Sequence, residues 1–235
     1  MEVGSECTLK LVITPPFLLS VYELGAEYGR KIVNAIQTFL RNPDHNCLHH
    51  ERLTGKAVGL QSIHVDDSCR IVFSGKQVLM LLYAGSDDQI SHFAERAGAE
   101  ATAMAESPIA HQLHSCADPL QVFAPAHASE SPSCGAPVSA DGLARLIVGT
   151  RKYLPLTHLL LSRGPEVGSM EVGLRALETA LGDALPKSAH TSRRWWDNDP
   201  ARTQAYSWMA VGWKTAAVDL HNETVTFIRG EPLLT

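Results

Sequence analysis

Arg193 and Arg194 directly precede Trp195 and Trp196, and Asn198, Arg202 and Arg229 follow. Arginine for phosphates, tryptophan for base stacking and asparagine for a base edge form a set compatible with nucleic-acid binding. On that reading a helix over Pro200–Val211 would enter a groove, and a hairpin over 213–229 would act as a wing. The competing reading is a core. All four tryptophans lie between Trp195 and Trp213, and a small domain needs large buried side chains such as Trp195, Trp208 and Phe227.

Other chemistry-bearing residues form weaker patterns. Ser188 has no nucleophile elbow around it, and no glycine-rich phosphate loop occurs. The cluster His45-x-Cys47-x-His49-His50 has the composition of a metal site without its ligand spacing, as have His111, His114 and Cys116. Five scattered cysteines without a Cys-x-x-Cys pair argue against a disulfide framework or a zinc ribbon, and a reducing cytoplasm fits. No metal and no cofactor are expected.

The elements that must position these residues fall into three stretches. The chain has 235 residues, 45% hydrophobic and 19% charged, with a net charge of -5. Residues 1–98 hold nine basic and eleven acidic side chains, 99–144 none and five, and 145–235 eleven and nine. A protein that coats nucleic acid by bulk positive charge is excluded. The middle stretch is rich in Ala, Pro and Ser and reads as a semi-stiff linker. The expected fold class is α+β: a small antiparallel-sheet domain over 1–98, a flexible linker over 99–144, and a second small α+β domain over 145–235. No run of about 20 apolar residues occurs, and a cytoplasmic protein is expected.

Within the first domain, Leu9–Thr14 is β-prone, Pro16 suits the first turn of a helix, and a second helix runs from Ala26 to the Asn42-Pro43 stop. Strands at Gln61–Val65, Arg70–Phe73 and Val78–Tyr83 form a meander, and Ser86 with Gln89 opens a last helix to about Arg96. In the last domain, helices are expected over Arg151–Ser162, Leu174–Leu181 and from Pro200 to Gly212. A hairpin of Trp213–Leu220 and Thr224–Arg229 follows, an order compatible with a winged helix among other small folds.

The series Phe17–Leu24, Lys31-Ile32-Val33, Asn42-Pro43 and Leu48…Glu51-Arg52-Leu53-Thr54-Gly55 resembles the RelE/ParE toxin superfamily, in its helicase-associated form. The likeness continues through Ser62-Ile63-His64-Val65, Arg70-Ile71-Val72-Phe73 and Leu81-Leu82-Tyr83-Ala84. Several members of that family cut messenger RNA on the ribosome. There a ribose 2′-hydroxyl attacks its own phosphate, which calls for proton carriers and for cations on the phosphate. The resemblance implies Arg70 as the phosphate-holding cation, with Lys56 and Arg52 as further cations and His64 or His92 as proton carriers.

The chain departs from the family segment His-Asp-x-x-Tyr-x-Trp-Ala, reading Asp87-Asp88-Gln89-Ile90-Ser91-His92-Phe93-Ala94. Two proton-handling groups are lost and an anion stands beside the phosphate position. The resemblance therefore implies a protein of toxin–antitoxin or related nucleic-acid biology with weakened or lost RNA cleavage, acting as a binding module. The alternative is an active ribosome-dependent endonuclease using Arg70 and Lys56. The implied partners are nucleic acid (RNA or DNA) and an antitoxin-like protein, with no membrane. For the other end, Lys152-Tyr153-x-x-Leu156, Leu185-Pro186-x-Ser188-Ala189, Trp195-Trp196-x-Asn198 and Gly212-Trp213 resemble a prokaryotic domain family without an assigned activity.

Overall fold

Thr14 sets the first corner of the chain. Its hydroxyl accepts from the Phe17 amide and donates to the Leu81 carbonyl at 2.8 Å, so one side chain both caps a helix and ties it to a strand. In the computed structural model, which describes residues 10–54, 59–76, 78–105, 136–164, 166–231 and 233, this corner joins β1 (Lys10–Ile13) to α1 (Pro15–Leu24). Gly25, at φ 96, then turns the chain into α2 (Ala26–Arg41), which buries Ile32, Val33, Ile36 and Phe39. Leu40, expected on the same stripe, is only half-buried.

The expected meander follows: β3 (Leu60–Asp66), β4 (Cys69–Ser74) and β5 (Val78–Gly85), preceded by the two-residue β2 (Glu51–Arg52). Asp66 shapes the first turn by accepting from the Ser68 amide and hydroxyl, both at 3.0 Å. Burial alone would raise the Asp66 carboxyl, but hydrogen bonds from Lys31 and Ser68 hold it below its ordinary value. At the second turn Gly75 sits at φ +95, and a Cβ there would lie 1.9 Å from the Val78 carbonyl oxygen. Gly75→Ala is therefore expected to cost about 1–3 kcal/mol in strain, before any cost of relieving the clash, read as a lower urea midpoint. An unchanged midpoint would contradict this turn geometry.

Ser86 and Gln89 form the capping box: Gln89 Oε1 accepts from the Ser86 amide at 2.9 Å, and Ser86 Oγ from the Gln89 amide at 3.4 Å. They start α3 (Asp87–Ala105), which runs past the expected end near Arg96. Its Ile90 and Ala94 pack on Leu60, Val72 and Leu82, one face of the sheet. Helices α1 and α2 cover the other face, over Ile63, Ile71, Phe73 and Leu81.

The sheet order is β2-β3-β4-β5-β1-β6, antiparallel except that β1 runs parallel to β5. The last strand, β6 (Ala136–Val138), corrects the expected linker. Residues 136–144 are not tether: β6 adds to the free edge of β1, and α4 (Ala140–Ala144) follows, capped by Ser139. Three residues containing a proline are too short a run to announce a strand. The middle of the expected linker, 106–135, lies outside the described residues.

After α4 the chain makes one wide turn, Arg145–Gly149, and a short 3-10 turn, then enters α5 (Leu154–Leu161). Leu156 and Leu160 are buried as expected, and Leu159 is half-buried. A second, small unit then forms from β7 (Ser169–Gly173), α6 (Leu174–Leu181), α7 (Lys187–Thr191), a 3-10 turn over Arg193–Trp196, α8 (Thr203–Met209), β8 (Trp213–Asp219) and β9 (Thr224–Arg229). Its sheet is antiparallel, in the order β7-β9-β8. Strand β7 is not announced by the sequence: Met170 and Val172 alternate with Ser169 and Glu171, but two apolar positions in five residues are too short a pattern to mark a strand.

Both units are mixed α+β, and they share a core. One continuous cluster joins Phe17, Val21 and Ile36 to Leu146, Ile147, Leu156, Trp208 and Phe227. Arg151 fastens the join by donating to the Tyr22 carbonyl, at the C-terminal end of α1, at 2.7 Å. Gly29 leaves only 3.1 Å between an added Cβ and Ile147 Cγ2, so α2 and the wide turn lie in close contact. A tethered pair of separate bodies is replaced by two units with common packing. No helix among the described residues is long and apolar enough to cross a membrane.

Candidate functional site

Strand pairing places His64 opposite Arg70, and Arg70 opposite Gly85. Directly opposed residues share a face of a sheet, so His64 and Arg70 are neighbours by register. Two residues beyond Gly85, Asp87 opens α3 over the same face. On the far side, Glu51 of β2 pairs with Ser62, one step along the strand from His64.

These placements gather a charged cluster around Arg70. Its Nε lies 2.6 Å from Asp87 Oδ1 and its Nη2 donates to Asp87 Oδ2 at 3.1 Å, a two-pronged contact. Its Nη1 donates to Glu51 Oε1 at 3.3 Å. The same Glu51 oxygen lies 3.4 Å from His64 Nε2, close enough for an ion pair if the ring is protonated but out of alignment for a hydrogen bond. The His49 ring packs on the His64 ring at 5.2 Å. The resemblance implied a phosphate as the partner of Arg70. The side chain pairs instead with Glu51 and Asp87, while Asp66 takes Lys31 at 3.0 Å.

The arrangement restrains what Arg70 can do. A phosphate at its fork would lie about 4 Å from the Asp87 carboxylate, a repulsion of about 1 kcal/mol in bulk water and about 4 at an effective dielectric near 20. Both carboxylates are about half exposed or more (Glu51 49%, Asp87 63%), so the lower part of that range applies most directly.

The other residues expected at this site are dispersed. Lys56 lies outside the described residues. Arg52 follows Glu51 on β2, so its side chain leaves the strand on the opposite side. His92 is exposed on α3, five residues past Asp87, which is about 140° around the helix. Sequence reading quoted Glu51 and His49 within motifs without giving them a role. The signal that would have found Glu51 is the β2–β3 register, which pairs it with Ser62.

His45 and Cys47 contact each other, whereas His49 and His50 take other partners. His45 Nδ1 contacts Cys47 Sγ at 2.9 Å, and His50 Nε2 pairs with Gln61 Oε1 at 2.9 Å. Among the described residues no group of three or more His, Cys, Asp or Glu is arranged to hold a metal. Buried Cys69 is inert at neutral pH, because burial, reinforced by Asp66, pushes its thiol up to about 11.

In the second unit, three of the expected nucleic-acid residues are structural. Asn198 mimics a peptide group along the edge of β8: its Oδ1 accepts from the Thr215 amide and its Nδ2 donates to the Thr215 carbonyl, both at 2.8 Å. The same Oδ1 accepts from Trp208 Nε1 at 3.1 Å. Arg229 donates to the Val167, Arg163 and Gly164 carbonyls and lies over the Trp213 ring at 4.6 Å. Arg202 pairs with Asp199 at 3.4 Å and donates to the Arg194 carbonyl. In each case donors of the side chain are engaged by the protein's own backbone or acids, which leaves fewer of them for a base or a phosphate.

Trp196, Trp208 and Trp213 are fully buried, and Trp195 half-buried against them. The groove helix expected over Pro200–Val211 is shorter, α8 spanning Thr203–Met209, and it buries Ala205, Tyr206, Ser207, Trp208 and Met209, leaving only Thr203 exposed and Gln204 half-buried. Arg193 and Arg194 remain exposed, without an ion pair or side-chain hydrogen bond among the described residues.

A family described as a domain of unknown function (DUF7662) matches residues 153–230, which takes in α5 through β9 and the whole tryptophan–Asn198 clamp. No curated protein matches the chain.

Proposed function

We propose that this chain is a RelE/ParE-like toxin scaffold that has lost RNA cleavage and serves as a binding module in nucleic-acid biology. The order strand, two helices, a two-residue strand, three further antiparallel strands and helix supports that reading. The observation that carries the loss of cleavage is Arg70 held between Asp87 and Glu51. A cation that must neutralise a crowded phosphate in the transition state is already neutralised by its own chain. His64, the nearest proton carrier, faces Glu51 rather than an open pocket.

Helix α5 and the second unit support a winged-helix reading: α5, strand β7, helix α6, the helical segment 187–196, helix α8, then the β8–β9 hairpin, with β9 between β7 and β8. Such units place a helical segment and a hairpin on one nucleic-acid surface.

Induced expression in bacteria tests the proposal. Growth is expected to continue, and equally in Arg70→Ala. Growth arrest by the natural chain, relieved by Arg70→Ala, would restore the endonuclease reading.

A further inference from the structure

The segment between α6 and α8 is cationic on one side only. From Ala184 to Trp196 the chain contains Lys187, His190, Arg193 and Arg194 and no acidic residue. Its inner side is pinned by Ala189 and Trp196, 0% and 1% exposed, and Trp196 Nε1 donates to the Ala189 carbonyl at 2.9 Å. His190 turns toward the second unit's acids, with Nε2 3.2 Å from Glu178 and Nδ1 3.7 Å from Glu223.

The outer side leaves Lys187, Ser188, Thr191, Arg193 and Arg194 exposed. Several other cations of the described residues are committed to acids: Lys31 to Glu27 and Asp66, Arg70 to Glu51 and Asp87, Lys152 to Asp183, Arg175 to Glu223 and Arg202 to Asp199. Of the flanking acids, Asp183 is taken up by Lys152 at 2.8 Å and Asp199 by Arg202 at 3.4 Å, while Asp197 is exposed next to Trp196.

From these exposed cations, gathered on a stretch without an acid, we infer that the outer side of residues 187–194 contacts the phosphate backbone of double-stranded DNA. Two adjacent guanidiniums, a lysine and the Ser188 hydroxyl present the donors that phosphates accept, while the Thr191 hydroxyl donates to the Lys187 carbonyl at 3.1 Å. The buried tryptophans hold the segment rigid, so little ordering is required on binding. The surface lacks an exposed aromatic platform, since three tryptophans are buried and Trp195 is packed among them. A single strand recognised by base stacking therefore fits it less well than a duplex. Asn198, Arg202 and Arg229 act indirectly, by fixing the segment and the β8–β9 hairpin in place. The inference does not depend on the Arg70 cluster, which lies in the other unit.

Fluorescence anisotropy of the full chain with a labelled duplex of about 20 base pairs tests it, titrated at several salt concentrations. The natural chain is expected to bind, more weakly as salt rises. Arg193→Ala/Arg194→Ala should weaken binding by about tenfold or more and flatten the logarithmic salt slope by about two, with unchanged thermal melting. A charge-matched control, Lys10→Ala/Arg41→Ala, should change affinity far less, both residues being exposed in the first unit. No binding at low salt, an equal loss in the control, or tighter binding of single-stranded RNA of the same length would each overturn the inference.

Discussion

Trp196→Ala is expected to lower the stability of the chain by about 3–5 kcal/mol, the cost of deleting a large aromatic side chain from a core. Trp196 is 1% exposed, packs edge-on against Trp195 at 4.5 Å and stacks on Trp208 at 6.0 Å. Its loss also leaves the Ala189 carbonyl without its indole donor, a further cost of about 1–3 kcal/mol if no water replaces it. Against a typical total of about 5–15 kcal/mol, that is enough to leave much of the chain unfolded at body temperature. Urea denaturation followed by circular dichroism measures it. A loss below about 1 kcal/mol would mean that the tryptophan cluster is not the keystone of the second unit. Because the core runs unbroken from α1 to β9, the transition should remain a single one, shifted as a whole.

Glu51→Gln/Asp87→Asn is expected to raise affinity for a short RNA oligonucleotide by about tenfold or more at low salt. The substitution keeps shape and hydrogen-bonding capacity while removing two negative charges from around Arg70. Each carboxylate opposes a bound phosphate by about 1–4 kcal/mol, and 1.4 kcal/mol is a factor of ten. Adding Arg70→Ala to the double variant should abolish the gain. That third arm separates the release of one guanidinium from a general rise in positive charge. A gain that survives Arg70→Ala would assign the effect to net charge, and no gain would show that Arg70 was not restrained.

Local punctuation made much of this architecture readable from residues. Thr14 with Pro15-Pro16, Asn42-Pro43, Ser86 with Gln89, and Leu181 followed by Gly182 mark helix ends through short-range chemistry, and the structure uses each of them. The α+β class followed from the switch between helical and strand periods. What stayed hidden depends on distant pairing. Strands β6 and β7 have only three and five residues, and β6 exists because β1 offers a free edge. The shared core was equally invisible, since Leu143, Leu146 and Ile147 follow a stretch whose composition resembles a linker.

The site was legible in part for the same reason. Arg70 and Asp87 stood out by motif, and the sequence already placed an acid beside the cation. Glu51 did not, because its role comes from a strand register one residue away from the opposite outcome. At the other end, Asn198, Arg202 and Arg229 have the residue types of a nucleic-acid reader. Only the fold shows their polar atoms turned onto Thr215, Arg194 and Val167. Residue type specifies what a side chain can bond, whereas packing decides which partner is within reach.

Primer extension on messenger RNA loaded on ribosomes and incubated with the purified chain tests the central claim most directly. With Arg70 neutralised by Glu51 and Asp87, the natural chain should generate no new RNA ends and match Arg70→Ala. New ends that appear with the natural chain and vanish with Arg70→Ala would contradict the account.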